Sequence, residues 1–327
     1  MSLSDFKLSL NQWGQERVPF LFMIDFEMQK PMAWKLSEVP AEKLLFDING
    51  FTNAHSFVLD KRNRNFFLDI DKSSMSLEEY QKKFERVSHH LNRGDSFLAN
   101  LTIKTKIETN RSLKELFYLS QARFKLWFND QFLVFSPEIF IQIKDQKIFS
   151  FPMKGTIDAS LPNAKEKILA DQKELAEHVT IVDLIRNDLS TVASSVKVTR
   201  FRYVEEVRTH QKDLLQVSSE IHGDLPMDYL SYIGDILVTL LPAGSVSGAP
   251  KKKTLEIIRK AEGEKREYYT GVFGYFDGQN LDAGVMIRYI EKTEQGFFYR
   301  SGGGITTQSK METEYQEAID KIYAPVY

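Results

Sequence analysis

The sequence predicts an α+β fold, or a mixed α/β fold, with a large antiparallel sheet formed by segments that are far apart in the chain. Three observations indicate this fold class. Helical and strand patterns both occur along the 327 residues. Turn signals separate short strand patterns into hairpins. The chain has no internal repeat, low-complexity tract or Pro-rich linker, and it can bury a substantial core as one large domain or two ordinary ones.

The first elements are a helix and a hairpin. In residues 76–92 the apolar side chains recur at helical spacing, and Gly94 can cap the end of the helix. Residues 139–143 predict a strand, Asp145-Gln146 predicts a turn, and residues 148–151 begin the return strand.

Three further helices are predicted, over residues 164–189, 250–261 and 312–323. The first buries a face formed by Ile168, Leu175, Val179, Val182 and Ile185. The second has Pro250 near its start and Gly263 just past its end, which is the usual placement of these two residue types. Before the last helix, Asp277-Gly278 and Gln295-Gly296 predict the turns of two hairpins.

Composition and charge exclude several classes of function. The chain carries 43 basic and 45 acidic residues, a net charge of -2, so neither a nucleic-acid partner nor an anionic membrane is expected. Without cysteine it can form no disulfide, no thiolate metal site and no cysteine nucleophile of the kind that common glutaminases use. We find no apolar run of the roughly 18–20 residues that a membrane span needs. The first residues do not form a signal peptide, so we expect a cytoplasmic enzyme.

Two pairs of glutamates are candidate ligands of a metal ion. Glu174 and Glu177 lie three residues apart on a predicted helix, so they share one helix face. Glu314 and Glu317 repeat this spacing on the last helix. If both faces meet at one cavity, their oxygens suit Mg²⁺. The alternative is two solvated helix faces, which spacing alone favours because exposed glutamate is common.

Three further features can carry chemistry. Lys154 follows an apolar strand, and a partly dry cleft there can lower the lysine pKa and make the amine a nucleophile or base; the alternative is a surface lysine. Arg288 interrupts the apolar strand of residues 285–289, so it either binds a carboxylate or forms a structural salt bridge. The glycines of residues 302–304 and the loop of residues 241–251 can bring backbone N–H groups to an anion, or serve only as turns.

In their order and spacing these features resemble the chorismate-utilising enzymes, a family that includes anthranilate, aminodeoxychorismate, isochorismate and salicylate synthases. The similarity runs from residue 76 to residue 323. The motif Pro152-Met153-Lys154-Gly155-Thr156 is one of its parts. The others are residues 93–101, 136–138, 176–189, 244–251, 269–271, 302–305 and 314–321.

The resemblance implies a two-layer, sandwich-like fold in which large antiparallel sheets face each other with the helices outside. It implies a short amino-terminal segment, residues 1–75, that joins the sheet, and a chorismate-binding catalytic domain, residues 76–327, within one structural unit. The ligands it implies for Mg²⁺, which holds a chorismate carboxylate, are Glu174, Glu177, Glu314 and Glu317. The substrate-binding positions it implies are Ser245, Tyr269, Arg288, Gly303, Gly304 and Lys321.

The resemblance also implies that Lys154 and Glu138 are catalytic. The lysine indicates the aminodeoxychorismate branch, because anthranilate synthase has an alanine there. Aminodeoxychorismate carries its amine at C4, and one displacement by ammonia at C2 gives the wrong isomer. Attack of Lys154 on C2, followed by attack of ammonia on C4, gives the right one, with Glu138 as the acid that helps the C4 hydroxyl leave. We therefore expect a synthase subunit of p-aminobenzoate and folate synthesis that takes ammonia from a glutaminase partner.

Two rival functions stay open. One is another enzyme of this family, either anthranilate synthase component I or an isochorismate or salicylate synthase. Lys154 argues against the former, and the latter needs a base lysine near residues 98–105, where Lys104 stands out of register. Gln216 stands where members that eliminate pyruvate usually have a histidine, which agrees with a product that keeps its enolpyruvyl group. The other rival is a non-catalytic binding subunit, which would have lost the acidic or lysine positions.

Overall fold

The structure, a computed structural model, describes residues 1–55, 67–70, 76–207 and 213–326. Within those residues the chain forms eight α-helices, numbered in chain order. They are α1 (Leu3–Gln15), α2 (Leu77–Asn92), α3 (Leu113–Leu119), α4 (Ala164–Ala170), α5 (Gln172–Ser190), α6 (Ile233–Leu240), α7 (Lys251–Glu262) and α8 (Met311–Asp320).

The strands of the described residues form two nine-stranded sheets in which neighbouring strands are antiparallel. The first sheet contains β1 (Phe20–Ile24), β2 (Met32–Lys35), β9 (Ile139–Lys144), β10 (Lys147–Ser150), β11 (Met153–Asp158), β12 (Ser194–Val207), β13 (Leu214–Asp224), β15 (Val272–Phe276) and β16 (Leu281–Val285). The second contains β3 (Leu44–Ile48), β4 (Phe51–Thr52), β5 (Leu68–Ile70), β6 (Leu98–Thr109), β7 (Phe124–Phe128), β8 (Phe132–Ser136), β14 (Gly248–Ala249), β17 (Tyr289–Thr293) and β18 (Gly296–Ile305).

The strand order joins distant parts of the chain. The first sheet runs β11-β13-β10-β9-β16-β15-β1-β2, and β12 also pairs with β13. The second runs β14-β6-β18-β17-β8-β7-β3-β4, and β5 also pairs with β6. Strands that are far apart in the chain are therefore neighbours in each sheet, such as β1 and β15 in the first and β6 and β18 in the second, as the sequence predicted.

The two sheets pack face to face on a shared apolar core. Leu21 of β1 and Phe273 of β15 belong to the same buried cluster as Phe46 of β3 and Phe124 of β7. The rings of Phe124 and Phe273 meet edge to face across the layers, with their centroids 6.2 Å apart. The predicted two-layer arrangement is confirmed.

The helices cover the outer faces. Buried side chains of α1, α5 and α6 pack with those of β1, β9 and β16 in one cluster on the first sheet. On the second sheet, α3 packs near β7 and β8, whereas α2, α7 and α8 pack on β6 and the end of β18. This agrees with the expected placement of helices outside the sheets.

Local signals account for several element boundaries. Ser76 and Glu79 form a capping box at the start of α2. Gly263 ends α7 with a φ of 72°, a left-handed conformation that glycine adopts without strain. The predicted turns at Asp277-Gly278 and Gln295-Gly296 join β15 to β16 and β17 to β18.

The predicted helix over residues 164–189 is wrong in one respect, because it is broken into α4 and α5 at Asp171. The backbone of Asp171 is extended, and its side chain accepts a hydrogen bond from the N–H of Glu174 as the N-cap of α5. The predicted buried face is also wrong at Val179, which is 47% exposed, although Val182 and Ile185 on the same helix are buried. The last helix is also shorter than predicted, and it ends at Asp320.

One apolar stretch is longer than the sequence analysis recognised. Residues 229–246 have the length and mean hydropathy of a membrane span, with a mean hydropathy of 1.3 over 18 residues. In the structure this stretch is a 3-10 turn, α6 and a second 3-10 turn, and 61% of it is buried inside the protein. It therefore forms part of the core beneath the first sheet.

The amino-terminal strands are shared between the layers. β1 and β2 belong to the first sheet, and β3 and β4 belong to the second. The boundary predicted at residue 75 falls within residues 71–75, which lie outside the described residues. The division into residues 1–75 and 76–327 stays a prediction.

Truncation of the core between the sheets is expected to destabilise the fold. Phe273 is completely buried, so Phe273→Ala removes its apolar contacts and leaves a cavity that costs about 3–5 kcal/mol. Phe97 is 64% exposed, and Phe97→Ala is a control expected to change the free energy of unfolding by less than about 0.5 kcal/mol. Urea denaturation measures both. Equal losses for the two variants would contradict the packing described here.

Candidate active site

Two site residues lie where the chain passes from one sheet to the other. Glu138 stands between β8 of the second sheet and β9 of the first, and Arg288 stands between β16 of the first and β17 of the second. The backbone N–H of Val285 donates to the carbonyl of Glu138 at 3.0 Å, and that of Phe135 donates to the carbonyl of Arg288 at 3.2 Å. These bonds hold the two crossing segments together where the chain passes between the sheets.

Arg288 is held in an unusual conformation. Its φ is 52°, in the left-handed region that costs a non-glycine residue energy. The guanidinium lies 5.1 Å from the ring centre of Tyr323, and its Nε atom is buried without a hydrogen-bond partner among the described residues. A buried donor of this kind is costly unless a ligand completes it, and a carboxylate is its natural partner.

Glu138 is arranged as an acid. The hydroxyl of Ser245, in the 3-10 turn Gly244–Val246, donates a hydrogen bond to Glu138 Oε1. Burial raises the pKa of Glu138 above its ordinary value, although Ser245 and the positive charges of Arg288 and Lys321 oppose the shift. A raised pKa favours the protonated form, which can donate a proton to a leaving group.

Lys154 points into the protein from an irregular part of β11. The pairing of β11 with β13 shifts between Met153 and Thr156, and Gly155 has a φ of +84°. A methyl group on Gly155 would lie only 3.0 Å from Glu174 Oε2, so a glycine is needed there. The amine of Lys154 lies 2.6 Å from Glu177 Oε2, and the side chain of Glu177 is only 3% exposed.

Burial and the neighbouring carboxylates shift the pKa of Lys154 in opposite directions. Burial lowers the pKa of Lys154, but the combined effect of Glu177, Glu317 and Glu174 is larger and raises it. The net pKa therefore lies above the ordinary value. The lowered pKa considered from the sequence is therefore wrong for this arrangement. In the structure the amine is an ammonium group that balances the carboxylates around it.

The glycines of β18 leave room for the two lysines and two of the glutamates. A methyl group on Gly303 would lie 3.6 Å from Lys321 Nζ and 3.7 Å from both Glu314 Oε2 and Glu317 Oε1. One on Gly304 would lie 3.9 Å from Lys154 Nζ. This part of β18 thus faces a space that the lysine and glutamate side chains share. A residue larger than glycine at either position would narrow that space.

Lys321, at the end of α8, is tied to this strand. Its amine donates to the carbonyl of Gly302 at 2.9 Å and to Glu317 Oε1 at 2.7 Å. Burial lowers the pKa of Lys321, and the charge of Glu317 opposes that shift. The side chain therefore presents a half-buried amine beside the Gly303 backbone.

The four predicted metal ligands come from two helices that converge on this space. Glu174 and Glu177 come from α5, and Glu314 and Glu317 come from α8. Carboxylate oxygens are the ligands that Mg²⁺ prefers, so the residue types fit the ion. In the described part of the chain, however, no three His, Asp or Glu side chains are spaced to hold a metal ion. Lys154 and Lys321 form ion pairs with Glu177 and Glu317 instead.

Tyr269 lies deeper than the other predicted substrate-binding residues. It is 3% exposed, and burial raises its pKa to about 12, while the charges of Arg266 and Arg288 act in the opposite direction. The phenol therefore keeps its proton near neutral pH and can donate a hydrogen bond.

The sequence analysis assigned no role to Asn100. It pairs with Gly304 across β6 and β18, and its Oδ1 atom is buried without a hydrogen-bond partner among the described residues. A polar amide between the apolar residues Ala99 and Leu101 is the signal that would have identified it.

Arg266 and Glu262 form a buried ion pair behind the site, which the sequence analysis also missed. Arg266 is 1% exposed and donates to Glu262 through two nitrogens, at 2.9 and 2.6 Å. It also donates to the carbonyls of Val246 and Asn100, both at 2.7 Å. The pair thereby connects the turn that carries Ser245 to the strand beside Gly304. In sequence alone, charges four residues apart look like an exposed helix pair.

The chain is similar to several known proteins. The family described as chorismate binding enzyme matches residues 42–326. An uncharacterized PabA-like protein of Pasteurella multocida (strain Pm70) is 48% identical over 326 residues, which cover 100% of each chain. Aminodeoxychorismate synthase component 1 of Escherichia coli (strain K12) is 33% identical and matches 79% of this chain and 59% of its own length. Anthranilate synthase component 1 of Aquifex aeolicus (strain VF5) is 30% identical and matches 77% of this chain and 53% of its own length.

A solved structure shares the architecture. The menaquinone-specific isochorismate synthase of Escherichia coli superimposes with a TM-score of 0.73, over 98% of this chain and 81% of that one. The two sequences are 16% identical, so this likeness concerns the fold.

Loss of the buried anion behind the site is expected to destabilise the protein. Glu262→Gln leaves the guanidinium of Arg266 without its counter-charge in the core, a change that typically costs about 3–5 kcal/mol. Glu256, half-exposed on the same helix beside Lys253, offers a matched control. Glu256→Gln is expected to cost less than about 0.5 kcal/mol. Urea denaturation compares them, and a Glu262→Gln loss as small as that of the control would refute the assigned role.

Proposed function

Because the chain belongs to the family of chorismate binding enzymes, we propose that it is an aminodeoxychorismate synthase subunit, which converts chorismate and ammonia to 4-amino-4-deoxychorismate. One observation carries the proposal. The amine of Lys154 points into the site, 2.6 Å from Glu177 Oε2 and 3.9 Å from a methyl group placed on Gly304. A surface lysine would extend into solvent, whereas this side chain is only 21% exposed.

The surroundings of Lys154 support the same branch of the family. Anthranilate synthases are expected to have alanine at its position, which has no nucleophile to offer. Gln216 pairs with Thr156 across β13 and β11, two residues along the strand from Lys154. The residue expected to be histidine in pyruvate-eliminating members is thus glutamine here, beside the reactive strand. This favours a product that keeps its enolpyruvyl group.

The reaction that we propose has two displacements. The neutral amine of Lys154 forms a bond to C2 of chorismate, the diene electrons shift, and the C4 hydroxyl leaves as water after taking a proton. Ammonia then forms a bond to C4, the electrons shift back, and the C2–N bond to Lys154 breaks. The sum is chorismate plus ammonia giving aminodeoxychorismate plus water. Covalent catalysis here replaces one substitution with the wrong outcome by two with the right one.

Glu138 and Ser245 serve the proton transfers. Glu138, with its raised pKa, donates the proton that turns the C4 hydroxyl into water, and its carboxylate then accepts a proton from the incoming amine. Ser245 donates a hydrogen bond to Oε1 and so orients the carboxyl group. Lys154 must lose a proton, and with it the ion pair to Glu177, before it attacks, because an ammonium group is not a nucleophile.

We propose that substrate carboxylates bind Arg288, Tyr269, Lys321 and the Gly303-Gly304 backbone. Two observations support this proposal. Among the described residues the Nε of Arg288 has no hydrogen-bond partner, and the phenol of Tyr269 keeps its proton, so both groups can donate a hydrogen bond to an anion. We also propose that Glu174, Glu177, Glu314 and Glu317 hold Mg²⁺ after their carboxylates move closer together, because in the described structure they are not spaced to hold an ion. The ion would neutralise these glutamates and bind a chorismate carboxylate.

We propose a glutaminase subunit as the source of ammonia. The sequence has no cysteine and therefore lacks the nucleophile of the common glutaminases. The Escherichia coli relative is named component 1 of its synthase, which supports a second component here. Free ammonium is expected to replace the partner poorly in vitro. A role in p-aminobenzoate and folate synthesis, in the cytoplasm, belongs to the same proposal.

The rival functions have weaker support. Anthranilate synthase activity agrees with the relative from Aquifex aeolicus, but it leaves Lys154 without a role. A water-using synthase needs a base lysine on β6, and Lys104 there is paired with Glu291 and lies over the ring of Phe298. A binding-only subunit would not need the nucleophile, the acid and the four glutamates that this chain retains.

The covalent intermediate gives the direct test. Chorismate and Mg²⁺ without ammonia should give an adduct of chorismate minus water on the Lys154 peptide, seen by mass spectrometry, and ammonium should discharge it. Lys154→Ala should form none, whereas Lys147→Ala, at an exposed ion pair, should form it normally. Amination at C4 by Lys154→Ala would refute the nucleophile. Release of anthranilate, isochorismate or salicylate would make the assignment within the family wrong.

Replacement of the acid should slow the first displacement. Glu138→Gln cannot donate a proton, so the adduct should form roughly 10²–10⁴-fold more slowly while the protein keeps its fold. Rapid-quench mass spectrometry measures the rate, and circular dichroism checks the fold. A rate within a factor of about two of the wild-type value would exclude Glu138 as the acid.

The metal proposal predicts a binding defect that does not require turnover. Glu314→Gln replaces a carboxylate by a neutral amide and so removes one negative charge. Titration calorimetry should then measure an affinity for Mg²⁺ that is roughly 10–100-fold weaker. Glu312, exposed on the same helix, supplies the control Glu312→Gln, which should bind as the wild type does. Equal affinities in the three proteins would remove Glu314 from the ligand set.

A further inference from the structure

Bound chorismate would fill the space in front of Gly303 and Gly304, so the second nucleophile needs another way in. Ammonia must reach C4, and in the proposed reaction C4 lies next to Glu138. A route that ends at Glu138 but not at Lys154 would let ammonia enter while the adduct occupies the site. The following inference rests on the proposed function.

A small cavity ends at Glu138. It has a volume of about 30 Å³, which is room for one or two molecules the size of water. Glu138 and Ser245 line one end of it, and Asp188 lines it from α5. The walls between them are mostly apolar and include Ile139, Ile185 and Leu240, with Ser150 as a further polar lining residue.

Two adjacent residues connect the two polar ends. A methyl group on Gly244 would lie 3.0 Å from Asp188 Oδ2, and the next residue, Ser245, donates to Glu138. The outer end reaches solvent, because the side chain of Asp188 is 20% exposed and that of its partner Lys251 is 21% exposed. The passage from solvent to Glu138 is therefore short, because the two adjacent residues Gly244 and Ser245 span it.

Lys251 frames the outer end. Its amine donates to Asp188 Oδ2 at 2.8 Å and to the carbonyl of Leu240 at 3.1 Å. This arrangement ties the start of α7 to α5 and α6 at the rim. The opening is thus bounded by charged groups, and the interior behind it is apolar.

We propose that this cavity is the entry passage for ammonia in this enzyme. At the rim, ammonium takes the place of the Lys251 ammonium beside the Asp188 carboxylate. It leaves its proton to solvent there, because apolar walls admit a neutral molecule far more readily than an ion. Ammonia, which is the size of water, fits the cavity, whereas chorismate does not. Its nitrogen arrives beside Glu138, where C4 is attacked, and the glutaminase would dock over this rim.

The test narrows the passage without touching the catalytic groups. Ile185 lines the cavity, and Ile181, one turn earlier on α5, does not; they are 8% and 6% exposed. In Ile185→Phe the larger side chain should narrow the cavity. The apparent KM for ammonium should therefore rise about tenfold or more, which is the usual effect of one extra group in a tight pocket. The rate of adduct formation from chorismate should stay unchanged. Ile181→Phe, which overpacks the same helix elsewhere, should leave both values near those of the wild type.

Asp188→Asn provides a second variant that keeps the size of the side chain and removes the rim charge. It should raise the apparent KM for ammonium at neutral pH while the adduct still forms at the wild-type rate. If the adduct forms normally and neither Ile185→Phe nor Asp188→Asn changes the KM for ammonium, the passage is refuted and the proposed function stands. If the wild-type protein forms no adduct and no C4 amine, the proposed function and the passage fall together.

Discussion

The buried guanidinium of Arg266 is the interaction on which the site most depends. It joins three elements: α7 through Glu262, β6 through the carbonyl of Asn100, and the Ser245 turn through the carbonyl of Val246. Glu262 in turn accepts hydrogen bonds from the N–H and hydroxyl of Thr102. A buried ion pair seldom adds much net stability, because desolvation offsets the attraction. Its value here is positional, since the strand beside Gly304 and the turn that orients Glu138 are held by one side chain.

The balance of charge in the site follows from its two sources. Helices α5 and α8 bring four glutamates, while β11 and the end of α8 bring Lys154 and Lys321. Each lysine is held by a carboxylate, so Lys154, the proposed nucleophile, is kept in an unreactive, protonated form in this structure. In the proposed mechanism this arrangement would keep the amine from attacking other molecules until the substrate and Mg²⁺ rearrange the charges.

The sequence predicted the fold where local signals agree with the global one. The turn at Asp277-Gly278 and the cap at Gly263 depend on backbone conformations that few residues adopt, and both were predicted correctly. The break at Asp171 was missed because an aspartate is compatible with both a helix and an N-cap, and only packing decides between them. The predicted site residues came from spacing and family resemblance. Asn100 and Arg266 escaped notice because their importance arises from burial, which the sequence does not reveal.

Lys154, the proposed nucleophile, and the strand that it faces belong to different layers of the sandwich. Lys154 extends from the first sheet, and Gly304 lies in the second. Stacked sheets keep a separation of about 10 Å that the side chains between them determine. The apolar filling therefore acts as a spacer that sets how far the amine must reach. Changes in core volume far from the substrate would then alter the width of the site, so drift in that packing is a route by which relatives of this fold can diverge in chemistry without changing a catalytic residue.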